Sequence, residues 1–170
     1  MASAEDTSRH DALMVRAIDE ARRGRGRTSP NPMVGCVIVQ DGEILATGYH
    51  AGPGKAHAEL DALADLEPGQ AAGSEVYVNL EPCCHYGRTP PCTEALLEAD
   101  VARVFVGIED PDPRVSGDGI RMLREAGIDV VVGVEAEASR RLNRAYVTYM
   151  NEGRPWVAAK WAMSADGKIA

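Results

Sequence analysis

Four side chains, His57, Glu59, Cys83 and Cys92, stand in an order that could build a hydrolytic metal centre. His57-Ala58-Glu59 follows a Gly-rich loop at the start of a predicted helix. Pro82-Cys83 follows a predicted strand, and Cys92 follows Pro90-Pro91 where a further helix opens. One imidazole and two thiols suit Zn2+, which prefers nitrogen and sulfur ligands. Three protein ligands leave a fourth position open, which distinguishes a catalytic from a structural site. Thiols beside a cation and at helix N-termini ionise readily. Zinc brings a bound water to a pKa of about 7, so hydroxide is available at neutral pH. Glu59 lies two residues past His57, near enough to take and return protons without being a ligand.

An H-x-E triplet followed by Pro-Cys and a second Cys is the pattern of zinc-dependent nucleobase deaminases. Here the cysteines are nine positions apart rather than three, so residues 84–91 form an insertion that must loop over the site. A structural zinc module is the reading from another class, with Cys84 or His85 as fourth ligand. Such a site would be closed and inert, and it would have no use for Glu59.

The elements that must position these groups follow from periodicity. Leu13, Met14, Ala17, Ile18 and Ala21 share one face of a helix over 8–22. Residues 34–40 and 43–48 read as strands joined by an Asp41-Gly42 hairpin. A helix over 57–66 precedes a strand over 76–80, and a helix over 92–99 precedes a strand over 103–108. Further helices are predicted over 119–126 and 135–150, with strands over 129–134 and 156–163. The alternation predicts an α/β fold, a three-layer α/β/α sandwich with a mixed central sheet whose first two strands are antiparallel. Residues 1–150 read as the one domain. Asn151-Glu152-Gly153-Arg154-Pro155 is linker chemistry, and 151–170 reads as a linker and the first strand of a truncated second domain.

The 170 residues are 45% hydrophobic, ordinary for a globular chain. No apolar run approaches the roughly 20 residues of a membrane span, and the N-terminus lacks an apolar signal segment, so a cytoplasmic location and no membrane partner are expected. With 18 Lys and Arg against 26 Asp and Glu the net charge is −8, which argues against a nucleic-acid partner. A homo-oligomer is open. Four cysteines without an export signal point to metal binding or reactivity before disulfides.

The insertion narrows the reading. Leu80-Glu81-Pro82-Cys83-Cys84-His85-Tyr86-Gly87-Arg88-Thr89-Pro90-Pro91-Cys92 resembles the deaminase domain of the bifunctional riboflavin-biosynthesis deaminase–reductases, cytidine-deaminase-like proteins. Asn31-Pro32-Met33-Val34-Gly35-Cys36-Val37-Ile38-Val39, Gly48-Tyr49-His50 and Asp110-Pro111-Asp112-Pro113 are similar as well. Cys84 stands where that family commonly has Ser, and Asp112 where it commonly has Asn. The resemblance implies hydrolytic deamination of 2,5-diamino-6-ribosylamino-4(3H)-pyrimidinone 5′-phosphate, a small-molecule pyrimidine ribotide, with release of ammonia. It implies that Asn31 and His50 contact the pyrimidine and that Arg88 faces the substrate from the insertion. An Asn carries both a donor and an acceptor for such a ring edge, and Arg suits a phosphate. The plain alternatives stay open: Asn31 as a turn residue, His50 as a strand-end histidine, Arg88 as a solvated charge. Other substrates on the same fold are a cytosine compound, guanine or a tRNA adenosine. Residues 156–170 resemble the opening strand of the family's NADPH-dependent reductase domain, which is otherwise absent, so no reduction is expected.

Overall fold

The computed structural model describes residues 4–86 and 90–169. Five strands, β1 (Gly35–Gln40), β2 (Glu43–Tyr49), β3 (Glu75–Leu80), β4 (Arg103–Ile108) and β5 (Asp129–Val132), form one sheet in the order β2-β1-β3-β4-β5. β1 runs antiparallel to both β2 and β3, and β3, β4 and β5 are parallel, so the sheet is mixed. Asp41 and Gly42 both have positive φ, 51° and 87°, the conformation of a tight primed hairpin turn.

Strand alternation explains the layers. β1 sends Cys36 and Ile38 to one face and Val37 and Val39 to the other. β3 divides Val76 and Val78 from Tyr77, and β4 divides Val104 and Val106 from Phe105. Both faces are apolar, so both must be covered by helices. Helix α1 (Ala4–Arg22) supplies Met14, Ala17 and Ile18 to the Tyr77–Phe105 face, and α5 (Ala136–Leu142) adds Ala138 and Leu142. The opposite face is covered by α2 (Ala58–Leu63), α3 (Cys92–Glu98) and α4 (Asp118–Glu125), through Ala58, Ala62, Leu96, Ile120 and Leu123. This is the three-layer α/β/α arrangement expected from the sequence. Among the described residues no helix is long and apolar enough to cross a membrane.

Two expectations need correction. The helix predicted over 135–150 is broken: α5 ends at Leu142 and α6 (Arg144–Glu152) begins after Asn143, whose φ of −100° and ψ of 19° leave the helical region. The Asn143 side chain is instead hydrogen-bonded to the Met33 backbone. The strand predicted over 156–163 does not form. Residues 151–169 are exposed, and their only β pairing is an isolated bridge between Met163 and Ile169. A strand exists through its neighbour, and no strand of this sheet pairs with the segment.

Candidate active site

The three thiol and imidazole groups meet because each sits at the end of an element on the same face of the sheet. His57 is the N-cap of α2, extended at φ −73° and ψ 162°, and its side chain makes no capping bond. The helix lies close against β2 because Gly48 has no side chain. A Cβ there would stand 2.3 Å from the Ala58 carbonyl and 2.4 Å from the Ala62 nitrogen. Cys83 comes three residues after β3, and its carbonyl accepts the Thr93 N–H at 3.2 Å. Cys92 opens α3, and its N–H donates to Cys83 Sγ at 3.3 Å. His57 Nδ1 lies 3.3 Å from Cys92 Sγ and 3.4 Å from Cys83 Sγ. One ligand atom from each residue lies within 4.8 Å of the others, so the group could hold a single metal ion. The soft N/S₂ donor set fits zinc. Neither Cys84 nor His85 belongs to this group among the described residues, which leaves no closed four-ligand site.

The electrostatics favour an ionised sulfur at Cys83. Hydrogen bonds from the Cys92 thiol and from His57 pull Cys83 down to about 4. Cys92 is pushed up by that same pairing and by burial, and His57 is raised by its bond to Cys83. Glu59 is 3% exposed, and burial, together with the Cys83 charge, pushes its carboxyl up to about 7. It lines one cavity of about 180 Å³ with His57 and Cys83.

Asn31 and His50 line the same cavity. His50 is buried, and its Nδ1 faces the Ala56 carbonyl at 2.9 Å. A carbonyl only accepts, so Nδ1 carries the hydrogen and Nε2 accepts from Asn31 Nδ2 at 3.0 Å. The pair thus orients the Asn31 amide inside the cavity. Ala56 is the residue before His57, so this pair also touches the backbone that presents the imidazole. Arg88 lies outside the described residues.

Sequence reasoning missed several residues around the site. Glu81 is buried, and its carboxylate accepts the N–H groups of Asp110, Gly117, Gly119 and Ile120 at 2.9–3.2 Å. It caps α4 and ties the loop after β4 to the segment carrying Pro82-Cys83. Gly119 permits this approach, since a Cβ there would stand 2.2 Å from the Pro82 carbonyl. A charged residue directly after an otherwise buried strand was the available signal. Asp110, Asp112 and Tyr146 form another wall of the cavity. Tyr146 donates to Asp110 Oδ1 at 2.7 Å, and burial raises both groups. Asp112 is paired with Arg114, which holds its carboxyl below the usual range. The Asp110-Pro111-Asp112-Pro113 motif was visible in the sequence, but nothing local pointed to Tyr146.

Residues 7–108 match the family described as the cytidine and deoxycytidylate deaminase zinc-binding region. The chain is 50% identical over 157 residues to the riboflavin biosynthesis protein RibD of Actinobacillus pleuropneumoniae, covering 92% of this chain and 42% of that protein. It is 52% identical over 158 residues to RibD of Synechocystis, covering 92% and 42%. In three dimensions it is similar to a diaminohydroxyphosphoribosylaminopyrimidine deaminase/5-amino-6-(5-phosphoribosylamino)uracil reductase from Thermotoga maritima. The TM-score is 0.91 at 42% identity, over 96% of this chain and 47% of that one. The chain therefore spans about two fifths of the length of the curated relatives it matches.

Proposed function

The chain belongs to the zinc-binding cytidine and deoxycytidylate deaminase family, and on that premise we propose that it hydrolytically deaminates the diaminopyrimidinone ribotide, 2,5-diamino-6-ribosylamino-4(3H)-pyrimidinone 5′-phosphate. The observation that carries the reading is the buried Glu59 in one cavity with the Asn31–His50 pair and with His57 and Cys83 of the His57–Cys83–Cys92 cluster. The similarity to RibD proteins at about half identity supports this substrate over cytidine or guanine.

Zinc held by His57, Cys83 and Cys92 would supply Lewis acidity and lower the pKa of a reacting water. Glu59 takes a proton from the water Oxygen as it adds to the amine-bearing ring carbon. It passes that proton to the ring nitrogen, then takes the proton of the newly added hydroxyl and hands it to the amine, so that the C–N bond breaks, the oxygen becomes the ring carbonyl and ammonia leaves. A carboxylate that is not a ligand is free to serve each of these transfers. Asn31, its amide fixed by His50, orients the ring edge through its remaining hydrogen-bonding groups. The cavity of about 180 Å³ offers room for the pyrimidine ring. Arg88, from the insertion, would meet the phosphate. We assign this activity to residues 1–150.

The direct test is ammonia release from the ribotide, with CMP and guanine as controls. Turnover confined to the ribotide is expected. Comparable turnover of CMP would remove the substrate assignment and leave the deaminase standing.

A further inference from the structure

The loop that carries Asn31 has few ways to be held. Pro30 and Pro32 have no N–H, and the Asn31 N–H is used by the Thr28 carbonyl at 2.8 Å. Met33 is therefore the first residue after Asn31 that can be gripped through both its N–H and its carbonyl. Its N–H donates to Asn143 Oδ1 at 2.8 Å, and its carbonyl accepts from Asn143 Nδ2 at 2.8 Å. The same carbonyl accepts from Asn79 Nδ2 at 3.1 Å, while Asn79 Oδ1 accepts the Gly35 N–H at 2.8 Å. Asn79 and Asn143 are both buried. A side-chain amide thus takes the place of a neighbouring strand for a segment just before β1 begins. Asn143 can do so because it stands in the break between α5 and α6, with its backbone outside the helix.

The grip reaches the chemistry by a short path. The next carbonyl, Val34, accepts the His50 N–H at 2.9 Å. Asn31 is bonded to His50, and His50 to the carbonyl beside His57. Three residues beyond Asn143 on α6, Tyr146 lines the active-site cavity. We infer that Asn143 is a positioning residue, holding Met33 so that the Asn31 amide addresses the ring of the substrate. This rests on the deaminase reading of the cavity. It adds a determinant of substrate binding that comes from the α5–α6 junction and touches neither the metal ligands nor the substrate.

The test uses Asn143→Ala, Asn143→Asp, Asn31→Ala and the Asn31→Ala/Asn143→Ala double variant, with zinc content, steady-state kinetics and amide exchange at Met33. Asn143→Ala should keep one zinc per chain and raise KM about tenfold, with a smaller change in kcat, as expected for hydrogen bonds that serve binding. Exchange at the Met33 amide should quicken by at least about tenfold. With Asn31 already removed, losing Asn143 should add less than about twofold, because both act through one contact. Asn143→Asp keeps the acceptor for the Met33 N–H and loses the donor to its carbonyl, so it should protect the amide yet still raise KM. If Asn143→Ala does not fold, the Asp variant decides through the same two readings. Unchanged KM with unchanged Met33 exchange overturns the inference, and so do effects that multiply in the double variant. Met33 exchange needs no turnover. A wild-type chain that fails to deaminate would therefore sink the functional reading while the grip on Met33 is still decided.

Discussion

Gly48→Ala isolates the contact that sets where α2 stands. Gly48 is not in the left-handed region, so alanine meets no backbone strain there, and the conflict is steric. The new methyl would lie 2.3 Å from the Ala58 carbonyl, 2.4 Å from the Ala62 nitrogen and 3.0 Å from the Ala62 Cα, where ordinary contact begins at 3.4 Å. All three atoms are helix backbone, which no rotamer change can move. α2 must therefore retreat by about 1 Å, and it takes His57 and Glu59 with it. Overpacking of this kind costs about 2–3 kcal/mol, or roughly 4–12 °C in Tm for a chain of this size. Metal sites tolerate about 0.2 Å of error in ligand distance, so zinc affinity should fall on the order of 10–100-fold, the range for changes that reorient ligands without removing them. Thermal unfolding with and without chelator, beside a zinc titration against a competing dye, reads both effects. A Tm within about 1 °C of wild type together with zinc affinity within about twofold would refute the claim that this contact positions the site.

Glu59→Gln should retain zinc and lose on the order of 10²–10⁴-fold or more in turnover, because an amide cannot shuttle protons; a variant retaining a tenth of the wild-type rate would remove Glu59 as proton carrier. Plasma emission should find zinc lost from Cys83→Ser and kept at one per chain in Cys84→Ser, whose thiol lies outside the metal cluster. Glu81→Gln places an NH₂ group against two of the four backbone N–H donors, whichever oxygen it replaces, and should cost about 2–3 kcal/mol in urea unfolding. Asp112 has a depressed carboxyl, so its contribution to stability is present above the unfolded carboxylate pKa of about 3.9 and is lost as pH falls through the lower folded value. Asp112→Asn should accordingly flatten the acid limb of Tm against pH; an unchanged limb would show that the Arg114 pairing does not stabilise the fold.

The candidate metal cluster and the layered core were legible in the chain itself, for a local reason. His57 and Cys92 mark helix starts and Cys83 follows a strand end, so element boundaries and the donor residues coincide within a few residues. The strand over 34–40 was likewise readable from its apolar run, and strand alternation then sends Val37 and Ile38 to opposite faces of the sheet. Zinc as the metal follows from donor chemistry alone. The rest depended on partners far away in sequence. Asn143 breaks a helix that periodicity would continue, because Met33, 110 residues earlier, offers both its N–H and its carbonyl. Tyr146 reaches Asp110 across 36 residues, and Glu81 reaches the α4 N-terminus across 38. Residues 156–163 have the composition of a strand and form none, since a strand is completed by a neighbour's hydrogen bonds and no strand of the sheet pairs with them. Side-chain type and spacing carried the chemistry of the site, and only the packed fold decided which buried amides and carboxylates hold it in place.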